Sequence, residues 1–363
     1  MLGDPGGGTA PVRAACVMDA ALLRPLLTGH WYDALAAVLD AEIARGEGDP
    51  GAVVARNLAV AAKRVLDLDA EDFGSIAESF PQVTWRDDLN GACFPLHPRD
   101  PHRGALASLV PLYELMLEVL DLRARRAEPL QVVVTAHLIG EYLPQLAWES
   151  TLGHGGDPLR LREQVGERWG SDDPSCGHGP GLRATARRAL HACSGDIAGY
   201  TGYLDRFHSR QGAALAVCAM HHRATEAGER PDVGDTCANP CSWVLRGDRV
   251  RQRDLDARVR LALIYQGSPI VGLRHHAPVG HFFGVPSAAE ISAAWLATWE
   301  RLVAPWPDGA NPLSLGAVPG RAEPDEALPG MANLVSAVAG RTIGPGRLLR
   351  HIGREIAELE GLT

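Results

Sequence analysis

The sequence predicts an all-α fold, a single helical domain of about ten helices joined by long loops. Apolar residues recur at three- and four-residue spacing through most of the 363-residue chain. No stretch combines period-two alternation with hairpin turns, and no alternation of strands with helices recurs. We find no internal repeat of roughly 20 to 50 residues.

Each predicted helix is identified by its amphipathic period. In chain order the predicted helices are 18–46 (two helices), 49–68, 104–127, 129–153, 181–226, 252–267, 288–304 and 343–362. Pro50 fits the first turn of the helix over 49–68, where a missing N–H is tolerated. Pro144 lies inside the helix over 129–153 and should kink it.

Long connections separate these helices, and connections of this length are often binding loops or lids. They cover residues 82–103, 154–180, 227–250 and 305–330. The glycine- and proline-rich residues 1–15 lack the charged and apolar regions of a signal peptide. We therefore expect a disordered tail over 1–15 and one helical domain over 16–363.

The composition excludes several classes of partner. A net charge of −9 argues against nucleic acid or an anionic membrane, since both require a basic face. No apolar run reaches the roughly 18 residues of a membrane helix. The seven cysteines are irregularly spaced and are expected to be reduced, as in the cytoplasm. These features predict a cytoplasmic protein without a nucleic-acid or membrane partner, and they leave a homodimer open; the small-molecule partner is implied by the resemblance described below.

The stretch "GLRHHAPVGHFFG", residues 272–284, holds His275, His276 and His281 among small and apolar residues. An imidazole can bind haem iron through one nitrogen while the other nitrogen donates to a carbonyl or carboxylate. Periodicity alone favours a buried or capping histidine over a ligand. Pro278 is compatible with a helix here only if that helix starts near His275.

The same stretch resembles the haem-dependent aromatic oxygenase superfamily, which includes tryptophan 2,3-dioxygenases and bacterial tyrosine and 3-methyltyrosine hydroxylases. The dioxygenase pattern H-x-x-x-V-x-x-x-x-G is present from His275 to Gly284. The resemblance implies a non-covalent haem b with His275 as its iron ligand and His276 as the fallback. It also implies that the neighbours of this ligand line the haem: Arg274, Val279, Phe283 and Gly284.

A second segment, "HLIGEYLPQLAWE", resembles the helix that carries the distal histidine in tryptophan dioxygenases. The resemblance implies that His137 is the acid–base group, accompanied by Glu141, and that haem lies between the helix over 129–153 and the one carrying His275. The implied activity is tyrosine-type ring hydroxylation, with peroxide or dioxygen, or tryptophan-type oxygenation, in bacterial secondary metabolism. An ordinary amphipathic helix with one polar stripe gives the same pattern.

Two alternatives come from other classes of protein. A non-haem metalloenzyme would use the three histidines of 272–284, with or without a second site of zinc-binding type. The candidate ligands of that second site are Cys176, His178, Cys237 and Cys241. The other alternative is a non-catalytic α-helical binding protein. The paired Glu-x-x-His motifs of a di-iron bundle are missing, so we expect Glu114 and Glu118 on a solvated face.

Overall fold

A computed structural model describes residues 20–46, 50–94, 108–152, 249–278, 280, 284–307, 309–313 and 326–362. Within these ranges the regular structure is helical and contains no strand, which confirms the all-α prediction for them. The α-helices are α1 Ala20–Thr28, α2 Tyr32–Ala44, α3 Pro50–Leu66, α4 Phe73–Ser79, α5 Arg86–Gly91, α6 Val110–Arg125, α7 Pro129–Leu152, α8 Arg249–Gln266, α9 Pro269–Gly272, α10 Ala288–Val303, α11 Met331–Ala339 and α12 Leu348–Leu359. Two 3₁₀ turns cover Ala70–Asp72 and Leu273–His276.

The chain divides into two compact units, of which the first contains α1, α2, α3 and α12. In this unit α2 packs against α1 and α3. The fully buried Tyr32 begins α2, and its hydroxyl donates to the Leu349 carbonyl at 2.8 Å. This bond joins the first turn of α2 to the start of α12, although the two residues are distant in sequence.

The second unit, residues 68–348, is built around α7. This helix packs against α6, α8, α9 and α11, and its central residues are almost entirely buried. Two buried tyrosines fasten its neighbours to it: the Tyr113 hydroxyl donates to Ile139 O, and the Tyr265 hydroxyl donates to Ala136 O, each at 2.8 Å. Burial raises the pKa of both phenols far above the usual value, so both remain hydrogen-bond donors.

The middle of α7 shows how the sequence accommodates Pro144 within a helix. Proline has no N–H, so the carbonyl four residues earlier, that of Gly140, loses its usual helical donor. The Gln266 side chain replaces that donor, with its Nε2 2.9 Å from Gly140 O. Glycine at 140 allows the Tyr265 ring to approach closely, because a Cβ there would lie 3.1 Å from that ring. A close helix pair thus forms at this point of α7.

The N-terminus of α6 is also tied to α7. The carboxylate of Glu149 accepts hydrogen bonds from the Ser108 hydroxyl at 2.5 Å and from the Leu109 N–H at 2.8 Å. A carboxylate at this position satisfies orphan donors and complements the helix dipole. Helix α6 begins at Val110, six residues after the predicted start at 104.

Several sequence predictions differ from the structure. Helices α4, α5, α9 and α11 are absent from the predicted set, and α12 begins at Leu348 instead of 343. The prediction of a solvated face for both Glu114 and Glu118 is wrong for Glu118, which is 1% exposed. The predicted helix over 181–226 and the predicted loop over 154–180 lie outside the described residues. No helix in the described ranges has the length and apolar character needed to cross a membrane.

Candidate functional site

The predicted acid–base histidine lies on the central helix of the second unit. His137 is 9% exposed, and its Nε2 lies 2.9 Å from the Glu141 carboxylate one turn further along α7. The two residues are four positions apart, the spacing at which side chains meet on one face of a helix. The carboxylate fixes the orientation of the imidazole ring.

The segment with the predicted haem ligand folds as the end of a helical run, and the expectation that a helix starts at His275 is wrong. Helix α9 begins at Pro269 and continues into the 3₁₀ turn Leu273–His276. The run stops at Ala277, whose ψ is 164°, because the residue before a proline disfavours helical backbone. His275 and His276 therefore occupy the last turn, and both side chains are exposed.

The chain then folds back on this turn. Gly280 N donates to Ala277 O at 2.8 Å. A Cβ at Gly280 would lie 2.3 Å from the Arg274 carbonyl oxygen, so only glycine fits this close approach. The first glycine of "GHFFG" thus serves the packing of the turn that carries Arg274 and His275.

The two segments predicted to form the site meet in space. Arg274 Nη1 lies 2.9 Å from His137 Nε2. The rings of His137 and His275 are in edge contact, with centroids 6.4 Å apart and planes inclined by 79°. Four of the predicted site residues thus form one cluster, which we call the His137 cluster: His137, Glu141, Arg274 and His275.

The other predicted site residues are placed as follows. His276 is exposed at the end of the 3₁₀ turn, and Gly284 is exposed with its backbone close to the His276 carbonyl. The remaining residues of the predicted sites lie outside the described residues: Val279, His281, Phe283, Cys176, His178, Cys237 and Cys241. Within the described ranges, no three His, Cys, Asp or Glu side chains are arranged to hold a metal ion.

No space for a haem is left between the side chains of His137 and Arg274. Atoms on opposite faces of a flat macrocycle must be about 7 Å apart, twice the contact distance of roughly 3.5 Å. The Arg274 guanidinium and the His137 imidazole are instead in direct hydrogen-bond contact. A macrocycle therefore cannot lie between these two side chains, although the resemblance implies that Arg274 lines the haem and that His137 faces it.

One atom of the cluster has no partner. His137 Nδ1 is buried and makes no hydrogen bond with the part of the chain that the structure describes. Buried polar atoms of this kind are uncommon, and each one requires an explanation. The sequence does not predict the contact between His137 and Arg274, because these two residues are 137 positions apart.

No family model matches the chain, and neither a curated protein nor a solved structure shows detectable similarity to it. The resemblance to haem-dependent aromatic oxygenases therefore depends on the two sequence segments alone.

Proposed function

We propose that this chain is an enzyme that acts on a small aromatic molecule, with His137 as the group that accepts and returns a proton. The observation that carries the proposal is the meeting of His137, Glu141 and Arg274, from two distant segments, around one buried imidazole. A histidine oriented by a carboxylate is the usual arrangement of a general base. If His137 belonged only to the solvated polar stripe of an amphipathic helix, its imidazole would be exposed, whereas it is 9% exposed.

In this proposal each member of the cluster has its own task. His137 takes the acidic proton of the bound molecule, such as that of a phenol or an indole. Glu141 holds the ring and stabilises the imidazolium that results. Arg274 supplies a positive charge at the edge of the ring.

The finer proposal, which the sequence resemblance supports, is a cytoplasmic haem-dependent oxygenase for tyrosine- or tryptophan-like substrates, with His275 as the iron ligand. When bound, the haem would supply the oxygen chemistry. We derive no step through it, because the contact between Arg274 and His137 shows that a macrocycle does not lie between these two side chains.

Two measurements on the full chain test the two levels of the proposal. The first is an absorption spectrum after addition of hemin to wild type, His275→Ala and the matched control His276→Ala. A Soret band that only His275→Ala loses supports the haem enzyme with His275 as its ligand. A band retained by His275→Ala rejects that ligand, and no band in wild type rejects the haem enzyme.

The second measurement is calorimetric binding of L-tyrosine and L-tryptophan to wild type and His137→Gln. Binding by wild type that weakens in His137→Gln supports an aromatic substrate at this cluster. Absence of binding to both proteins rejects this substrate class and favours the non-catalytic alternative.

A further inference from the structure

The guanidinium of Arg274 has an incomplete set of partners. It carries five N–H donors and a permanent charge, and it is partly buried. Its side chain makes one hydrogen bond with the described residues, to His137 Nε2, and none to a carboxylate. A partly buried arginine whose main partner is a neutral ring nitrogen retains donors and charge for an anion.

The contacts at His137 Nε2 also exclude one another. Arg274 can only donate, so its bond requires a lone pair on Nε2 and places the ring hydrogen on Nδ1. The Glu141 carboxylate can only accept, so its bond requires a hydrogen on Nε2. A neutral imidazole therefore serves one of the two charged side chains at a time, although both lie 2.9 Å away.

The opposite nitrogen is unsatisfied in both arrangements. Nδ1 is either a buried donor or a buried acceptor without a partner in the described structure, on a side chain that is 9% exposed. A ligand that binds Arg274 and also reaches Nδ1 would resolve both deficiencies. The incomplete arginine and the orphan nitrogen are independent observations, and both point to the same missing molecule.

We propose that Arg274 binds the carboxylate of the substrate, and that this binding selects the His137 tautomer that acts as the base. With Arg274 engaged by the carboxylate, Nε2 carries the hydrogen and donates it to Glu141. Nδ1 then presents a lone pair to the ligand and can accept its acidic proton, which leaves an imidazolium held by Glu141. The inference deepens the proposed function and rests on it for the identity of the substrate.

The charges favour a carboxylate over a phosphate group. Glu141 lies at the same ring nitrogen as Arg274, so a dianion placed on Arg274 would be repelled by the Glu141 carboxylate. A single guanidinium matches the planar, singly charged carboxylate with two parallel hydrogen bonds. The expected ligand is therefore a monoanionic aromatic carboxylate.

The test uses sodium benzoate and its neutral analogue benzamide, measured by titration calorimetry on the full chain. We expect benzoate to bind wild type at least tenfold more tightly than benzamide. Arg274→Gln should weaken benzoate binding on the order of 10- to 100-fold and leave benzamide unchanged. Arg274→Lys keeps the positive charge but cannot form two parallel hydrogen bonds to a carboxylate, so its benzoate affinity should lie between those of wild type and Arg274→Gln. Arg301→Gln, at an exposed arginine of α10, is the matched control and should bind as wild type does.

A second readout follows the ring itself. Nitrogen-15 NMR of His137, assigned by comparison with His137→Gln, should show the hydrogen move from Nδ1 to Nε2 when benzoate is added. Equal benzoate affinity in wild type and Arg274→Gln overturns the inference, as does tighter binding of inorganic phosphate than of benzoate. If benzoate binds through Arg274 while tyrosine and tryptophan do not bind, the anion site stands and the proposed substrate class fails.

Discussion

Two histidines in different units of the molecule differ in how completely their hydrogen bonds are satisfied. In the first unit His30 Nδ1 lies 2.8 Å from the Tyr32 hydroxyl, which donates its one hydrogen to Leu349 O. The hydroxyl must therefore accept from His30, so Nδ1 carries the hydrogen. One tautomer completes this chain of hydrogen bonds.

No neutral tautomer does the same for His137. Its Nε2 faces a donor and an acceptor at equal distance, and its Nδ1 faces neither among the described residues. The His30 ring has the Tyr32 hydroxyl as a partner, and the His137 ring has the side chains of Glu141 and Arg274. The hydrogen bonds from His30 through Tyr32 to Leu349 are complete in the folded chain, while those of the His137 cluster are incomplete among the described residues, and we propose that a ligand completes them.

The largest expected loss of stability tests the hydrogen bonds that run from His30 through Tyr32 to Leu349. Tyr32→Phe removes the acceptor of His30 Nδ1 and the donor to Leu349 O together. We expect the free energy of unfolding to fall by about 2 kcal/mol, measured by urea denaturation. Tyr265→Phe is the matched control, because its equally buried hydroxyl makes one such bond, to Ala136 O. A cost for Tyr32→Phe no larger than that of Tyr265→Phe would contradict the structural role.

How much of the fold is predictable depends on periodicity. The amphipathic helices α1, α2, α3 and α10 were within reach of the sequence, and α10 also carries a capping box between Ser287 and Glu290. Helix α11, "MANLVSAVA", was not, because its nine residues form a short, almost entirely buried apolar run, which sequence alone does not distinguish from a buried strand. The short helices α4 and α5 offer too few turns for a period to appear.

A smaller loss of stability is expected at the hydrogen bond from Gln266 to Gly140 O, beside Pro144 in α7. If Gln266 replaces the donor that Pro144 removes, then Gln266→Ala should cost about 1 kcal/mol in wild type, because Gly140 O loses its partner. In a Pro144→Ala background residue 144 regains its N–H, and the same change should cost much less. A double-mutant cycle by urea denaturation should therefore give a coupling free energy of about 1 kcal/mol. Additive effects would mean that the glutamine bond is incidental.

The candidate site contains one contact between residues close in sequence, His137 with Glu141, and one between distant residues, His137 with Arg274. The pairing of His137 with Glu141 follows from helical spacing, so the sequence contains it. The position of Arg274 depends on how α9 packs against α7 and on the chain reversal at Gly280, and neither leaves a local pattern. For this reason the sequence predicted haem contacts for Arg274, whereas the structure places it against the proposed base.

The smallest expected change in stability is at His137 itself. His137→Leu replaces an incompletely bonded ring by an apolar side chain, and without the ring Glu141 and Arg274 can pair with each other. The free energy of unfolding in urea should therefore stay within about 0.5 kcal/mol of wild type, or rise. A loss above about 2 kcal/mol would show that His137 is as completely bonded as His30. A neutral or stabilising result, together with loss of tyrosine binding, would fit a residue retained for chemistry at the expense of stability. The same substitution of a structural histidine would destabilise the fold and leave ligand binding intact.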